Sequence, residues 1–164
     1  MKYDLRIKKL RDNAQMPTYG SEWAAGADMY AAIDESVIIA PNETKFIPTG
    51  LAFEIPEGYA GFIYARSGLA CKKGLAPANK VGVVDSDYRG EIMVALHNHG
   101  NVSQTVENGE RVAQFVITPV LTLGQNHTLL KALRKEEFSV GTVFARMPIF
   151  FKAIGLNLMI FLRI

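Results

Sequence analysis

The chain has 164 residues, and its 18 lysine and arginine residues against 16 acidic ones give a formal net charge of +2. This length excludes two full domains, and the scattered basic residues exclude a dedicated nucleic-acid binder. The single cysteine, Cys71, excludes an internal disulfide, and the charged start does not resemble a signal peptide, so we expect a cytoplasmic protein.

Short alternating segments bounded by turn residues predict strands along most of the chain. From Asp4 to Leu10, charged and apolar side chains alternate with the period of two that is typical of a half-buried strand. Further segments rich in β-forming residues follow at the short spacing of an all-β, jelly-roll-like sandwich or barrel. Their predicted limits are 36–39, 44–55, 61–65, 91–97, 102–106 and 111–117.

One segment breaks this pattern and predicts a short helix near residues 67–73. Ser67 is expected as its N-cap and Gly74 as the closing glycine, with about two turns between them. Together with Arg66, the helix start would offer a guanidinium, a hydroxyl and free N–H groups, which suit an anionic phosphate. A capped surface helix beside a solvated arginine would have the same sequence, so this segment alone leaves both interpretations open.

Residues 82–91 combine an acidic turn with the end of a strand. A carboxylate at this position, Asp85, could orient and deprotonate a water. The ring of Tyr88, three residues later, could form a flat floor under a sugar or base. Because aspartate, serine and glycine form turns in any hairpin, an ordinary hairpin is the alternative interpretation.

Two more segments place a polar group among apolar or small residues. Gln114 follows a turn in which Glu110 and Arg111 suggest a surface ion pair, and its amide, if buried, must meet backbone groups or a ligand. Asp28 lies in a stretch of alanine and glycine where backbones could approach closely, although it could equally cap a turn.

Taken in order, these four segments resemble the first four motifs of the trimeric dUTP diphosphatases. The similarity spans Gly26 to Ile117, and the run Gly-Val-Val-Asp-x-Asp-Tyr-Arg-Gly at residues 82–90 is nearly intact. The resemblance implies a jelly-roll-like homotrimer whose active sites are shared between chains. It also implies hydrolysis of dUTP to dUMP and pyrophosphate, which limits uracil incorporation into DNA and supplies dUMP for dTMP synthesis.

The resemblance further implies roles for individual residues. Asp85 would position and activate the water that attacks the α-phosphorus, Gln114 would lie near that phosphate, and Asp28 would be the supporting first-motif acid. Tyr88 would pack against the deoxyribose and leave no room for a ribose 2′-hydroxyl. The phosphates would be held by Arg66, Ser67 and Gly68, and the uracil edge by Asn79 and the backbone near Lys80, Gly82 and Met93. Cytosine would leave buried groups unpaired there.

Magnesium is implied as the companion of the triphosphate, held by phosphate oxygens and waters without direct protein ligands. His97 and His99 have a spacing that could suggest zinc, but no cysteine or carboxylate set accompanies them. We therefore expect two exposed histidines at a strand end.

The sequence departs from the family's pattern toward its end. In place of the glycine-rich fifth motif, residues 134–142 carry two glutamates at glycine positions, and whether Phe138 replaces the usual stacking ring is open. Without that arm we expect slower hydrolysis, because water is excluded less well. A smaller departure is Ala65, where the family usually has proline.

The match ends near Val120, and a shifted reading frame or a replaced terminus would explain the change. We therefore expect a β domain over 1–125 and a divergent tail over 126–164. The apolar tail is interrupted by Lys152 and Arg163, which makes a bilayer-spanning helix unfavourable.

Two other functions stay open at this point. The dCTP deaminases resemble these proteins in fold, but they favour a second serine after Arg-Ser, where this chain has Gly68. A catalytically weak trimeric protein that binds dUTP or dUMP would keep the core motifs and lose turnover with the fifth.

Overall fold

The computed structural model describes residues 4–121, which form twelve strands and one short helix. The predicted tail over 126–164, its boundary and Phe138 lie outside the described residues. The elements are β1 Arg6–Lys9, β2 Thr18–Tyr19, β3 Ala27–Tyr30, β4 Val37–Ile39, β5 Thr44–Pro48, β6 Leu51–Glu54, β7 Tyr59–Tyr64, α1 Ser67–Lys73, β8 Leu75–Pro77, β9 Gly82–Val84, β10 Met93–Asn98, β11 Gln104–Val106 and β12 Arg111–Pro119.

Within this part of the chain the strands pair into small antiparallel sheets. The largest has five strands in the order β2-β3-β12-β7-β9, and a three-stranded sheet has the order β5-β10-β8. Two further pairs join β1 to β6 and β4 to β11. The predicted jelly-roll-like, all-β fold with one short helix is confirmed. Over residues 4–121 no helix is both long and apolar enough to cross a bilayer.

The sheets enclose one apolar core. Met29, Ile39, Ile47, Leu51 and Leu96 come from five different strands and have no exposed surface. Burying a side chain of this size contributes about 2 kcal/mol. Because alternate residues of a strand point to opposite faces, the period-two pattern of the sequence places these side chains on the inner faces of their sheets.

The turn at Gly50 corrects one predicted strand. Residues 44–55 were expected to form a single strand, but the chain breaks at Gly50, whose φ is +67° and where a Cβ would lie 2.6 Å from that of Ala14. A left-handed residue packed this closely requires glycine. The two halves consequently enter different sheets, with β5 against β10 and β6 against β1.

The helix has the predicted length, but its N-cap differs from the prediction. The N-cap is Arg66, in an extended conformation and without a side-chain capping bond, so Ser67 is the first helical residue. Gly74 closes the helix in the left-handed region, as predicted, and its N–H donates to the carbonyl oxygen of Ala70.

Candidate active site

A cavity of about 350 Å³ lies beside the end of β9 and brings five of the predicted site residues together. Its volume falls in the range of small-molecule sites. Apolar side chains form most of its wall, and polar groups stand at a few points. The lining residues are Phe46, Ile63, Asn79, Gly82, Val83, Val84, Asp85, Tyr88, Glu91, Ile92 and Met93.

Asp85 is exposed at the point where β9 ends and the acidic turn begins. Its backbone carbonyl accepts the N–H of Tyr88 at 3.2 Å, which closes the turn. Among the described residues, no hydrogen bond or ion pair engages its carboxylate. Asp85 also borders a second cavity of about 370 Å³ on the side of residues 57–60. Its carboxylate is therefore accessible to a bound water.

Tyr88 lies against the glycine that follows the turn. The residue is 45% exposed, and its hydroxyl donates to the carbonyl oxygen of Glu91 at 3.0 Å. A Cβ on Gly90 would lie 2.5 Å from the Tyr88 hydroxyl oxygen, so the ring can occupy this position only beside a glycine. One face of the ring is thus packed while much of the side chain remains open to a ligand.

The segment carrying Asn79 forms a tight turn at the cavity. Lys80 has a φ of 65°, and its N–H donates to the carbonyl of Pro77 at 3.0 Å. Lys80 is not among the residues that line the cavity, whereas Asn79 is. Met93 also lines the cavity and pairs with Pro48 where β10 meets β5.

A second cluster surrounds the buried carboxylate of Asp28, which is 4% exposed. One oxygen accepts the Nε–H of Arg66 at 2.8 Å, and the other accepts an N–H of the Arg111 Nη1 at 3.1 Å. Two guanidinium groups against one carboxylate leave a net positive charge. Such a cluster suits a phosphate chain, since arginine N–H groups match phosphate oxygens.

Arg111 was missed as a site residue by the sequence analysis. The expected surface ion pair between Arg111 and Glu110 is not formed, because Glu110 pairs with Lys73 at 2.6 Å and Arg111 turns to Asp28. A break in strand register between Arg111 and Ala113 accompanies this arrangement. The only signal available in the sequence was a cation at the entry to a strand, which is common on protein surfaces.

Gln114 lies in the same cross-strand row as Asp28. The two residues are partners in the pairing of β12 with β3, so their side chains point to the same face. Gln114 is half-buried and none of the described hydrogen bonds uses its amide. Gly26 packs closely against this residue, since a Cβ on Gly26 would lie 3.2 Å from the Gln114 Cβ.

Helix α1 presents two of the predicted phosphate residues, Ser67 and Gly68, which are exposed in its first turn. Arg66 joins its beginning to Asp28, and Lys73 joins its end to Glu110. Arg66 also donates to the carbonyl oxygen of Arg111 at 3.4 Å, so both ends of the helix are held near the start of β12.

The cavity near Asp85 and the cluster around Asp28 have no residue in common. The residues lining the cavity near Asp85 include none of the Asp28 cluster, in which we count Asp28, Arg66, Arg111 and Gln114. A ligand that touches both clusters would have to span two regions of one chain or lie between two chains.

His97 lies near the end of β10, and His99 follows the last residue of that strand. Their ring centroids are 4.4 Å apart, and the Nδ1 of His97 is hydrogen-bonded to the Thr44 hydroxyl at 2.9 Å. Partial burial, and then the nearby His97 and Lys80, hold the pKa of His99 below its ordinary value. In residues 4–121 no group of three or more His, Cys, Asp or Glu side chains is arranged to hold a metal ion.

Known proteins resemble this chain in both sequence and fold. The sequence profile of the dUTPase family matches residues 12–142. The similarity therefore extends past Val120, where the motifs alone had placed its end. The deoxyuridine 5'-triphosphate nucleotidohydrolase of Aquifex aeolicus is 49% identical over 118 residues, which are 71% of this chain and 79% of that protein. The enzyme of the same name from Nautilia profundicola is 51% identical over 117 residues, with 71% and 81% covered.

A solved structure of the dUTPase of phage phi11 of S. aureus superposes with a TM-score of 0.69 at 27% identity, covering 76% of this chain and 95% of that one. That structure is described as revealing the coordination of a structural Mg(II) ion.

Proposed function

The chain belongs to the dUTPase family and is a hydrolase of dUTP, and we propose that Asp85 is the residue that holds the attacking water. The observation that carries this proposal is an accessible carboxylate, without a partner among the described residues, at the wall of a nucleoside-sized cavity that also contains Tyr88 and Asn79. A cytoplasmic location stays a prediction.

The reaction needs a base, a water and stabilisation of the charge that develops on phosphate. Asp85 accepts a proton from the water while the water oxygen bonds to the α-phosphorus. The bond from that phosphorus to the bridging oxygen of the β-phosphate then breaks, which releases dUMP and pyrophosphate. Gln114 donates its amide N–H groups near the α-phosphate, and Arg66 and Arg111 balance the phosphate charge.

The cavity wall accounts for the choice of nucleotide. The Tyr88 ring packs against the deoxyribose and occupies the space that a ribose 2′-hydroxyl would need. Asn79 and the backbone of Gly82 and Met93 meet the uracil edge. Cytosine would bring an amino group against donors and leave them unpaired, which costs more than the missing contact alone.

Mg²⁺ fits this site as a companion of the triphosphate. Both oxygens of Asp28 are already engaged by arginines, and the described residues hold no cluster of three metal-ligating side chains. The carboxylate of Asp85, in the cavity wall, is available to the waters of such an ion. When bound, the ion would neutralise charge on the phosphate oxygens.

A homotrimer with shared sites would unite the two clusters. The outer face of the five-stranded sheet carries an apolar row in which Phe62 pairs with both Val83 and Val116. Val83 is 62% exposed, and Phe62 and Val116 are half-buried, so the row offers apolar surface to another copy. Such packing would bring the Asp28 cluster of one subunit to the cavity of its neighbour.

A charged substitution in this apolar row tests whether the row forms the interface of a trimer. Phe62→Lys is expected to produce monomers, because an unpaired ammonium buried between subunits costs several kcal/mol. For this variant, sedimentation equilibrium should show a mass near the 18.1 kDa of one chain. The unaltered protein should show about three times that mass, as expected for a homotrimer. Ile38→Lys, which alters an apolar residue of β4 that is as exposed as Val83, should leave the trimer intact. A trimeric Phe62→Lys protein would refute this interface.

A pyrophosphate-release assay with dUTP, dCTP, dTTP and UTP side by side tests the function. We expect kcat/KM for dUTP to exceed that for each other nucleotide by at least about 100-fold, the discrimination that unpaired polar groups and steric exclusion supply. Ammonia release from dCTP without pyrophosphate would indicate a deaminase. Tight dUTP binding with no pyrophosphate release at high protein concentration would indicate a binding protein.

A further inference from the structure

Glu91 joins the turn that carries Tyr88 to two distant parts of the chain. One carboxylate oxygen accepts the Nε–H of Arg11 at 2.9 Å and the backbone N–H of Gly50 at 2.8 Å. The other oxygen accepts an N–H of the Arg11 Nη2 at 3.3 Å. The Glu91 side chain is 21% exposed, so water competes only in part for these bonds.

The turn at Gly50, whose N–H donates to Glu91, is itself held in place by close packing and hydrogen bonds. Gly50 is in the left-handed region with a φ of +67°, and a Cβ there would overlap Ala14. The Thr49 hydroxyl donates to the carbonyl of Ile92 at 2.7 Å, and the Ile92 N–H donates to the carbonyl of Leu51 at 2.8 Å. Residues 91 and 92 are therefore bound to the turn between β5 and β6 through side chain and backbone together.

The backbone of the same glutamate holds the Tyr88 ring. The carbonyl oxygen of Glu91 accepts the Tyr88 hydroxyl at 3.0 Å, and the ring rests on Gly90 between them. A displacement of the Glu91 backbone would consequently carry the hydroxyl with it. The contacts of the Glu91 carboxylate and the position of the Tyr88 ring are thus linked through the Glu91 backbone.

We infer that Glu91 and Arg11 are positioning residues that hold Tyr88 against the sugar and thereby set the discrimination between dUTP and UTP. This inference rests on the proposed function, because it takes the cavity as the nucleoside site. Steric rejection of a 2′-hydroxyl requires the ring to stay in place, since a shift of about 1 Å would admit the extra oxygen. Weakening the contacts of Glu91 with Arg11 should therefore reduce the discrimination between deoxyribose and ribose more than it slows the chemical step at Asp85.

Glu91→Gln tests the inference, because glutamine keeps the shape and removes the charge that binds Arg11. We expect the ratio of kcat/KM for dUTP to that for UTP to fall about 10-fold, with KM for dUTP raised and kcat for dUTP within about 3-fold of the unaltered enzyme. Arg11→Met should change the ratio in the same direction. Glu43→Gln is the matched control, since that carboxylate pairs with Lys45 and the Ala40 N–H, and the ratio should not change.

A double-mutant cycle distinguishes an effect of Glu91 on the position of Tyr88 from a general loss of order in the site. Tyr88→Phe removes the hydroxyl that reaches the Glu91 carbonyl, so adding Glu91→Gln to Tyr88→Phe should lower the ratio by much less than it does alone. Full additivity of the two changes would overturn the inference. An unchanged ratio of kcat/KM for dUTP to that for UTP in folded Glu91→Gln protein would also overturn it. If Glu91→Gln does not fold, an unchanged ratio in folded Arg11→Met protein would do the same. Absence of pyrophosphate release by the unaltered enzyme would instead refute the proposed function.

Discussion

Asp85→Asn is expected to lower kcat for dUTP by about 1,000-fold while dUTP binding persists. Asparagine has nearly the size of aspartate, so the cavity keeps its shape and the nucleoside contacts remain. Its amide cannot accept the proton of the attacking water, and the loss should therefore fall on kcat. Single-turnover pyrophosphate release and calorimetric titration with a non-hydrolysable dUTP analogue would measure the two quantities separately.

Asp87→Asn provides the matched control for this experiment. Asp87 is an exposed carboxylate two residues further along the same turn, and it does not line the cavity. Its replacement removes the same charge from the same loop and should leave kcat within about 3-fold. If Asp85→Asn retained the rate of the unaltered enzyme, Asp85 would not be the base.

Asp28→Asn is expected to reduce both stability and phosphate binding. The substitution leaves Arg66 and Arg111 facing a neutral amide, so two like charges lose the buried group that held them together. We expect the free energy of unfolding to fall by about 2 kcal/mol, which is less than for a fully buried pair because Arg111 is half exposed. Urea denaturation measures this loss.

In the same variant kcat/KM for dUTP should fall by about 100-fold, because the guanidinium groups no longer stand where the phosphates bind. Glu54→Gln is the control, since its ion pair with Arg6 is exposed and should contribute less than about 1 kcal/mol. A stability loss for Asp28→Asn no larger than that of Glu54→Gln would contradict a structural role for the buried cluster.

The all-β class and the short helix were predictable because both depend on local patterns. The alternation before Leu10 and the turn residues between strands act over a few positions, and Gly74 ends α1 by a conformation that belongs to one residue. The N-cap was predicted one residue too late, since the choice between Arg66 and Ser67 depends on how the helix start packs rather than on capping preference.

Residues that lie close only after folding were not predictable from these patterns. The pairing of Arg11 with Glu91 joins positions 80 residues apart, and Arg111 reaches Asp28 across 83 positions. Each of these side chains has an ordinary explanation as a surface charge when only its neighbours in sequence are considered. The strand break at Gly50 belongs to the same class, because Ala14, which forbids a larger residue there, comes from another part of the chain.

The sequence by itself determined the class of fold and the family, and it supplied the candidate residues of the site, since periodicity and motif spacing are properties of short segments. Only the tertiary structure decided that Asp28 is shared by two arginines, that Glu110 pairs with Lys73, and that the cavity is not lined by the predicted phosphate-binding residues. The physical reason is that ion pairs and cavities form between segments brought together by burial of the core, and that burial depends on the whole chain at once.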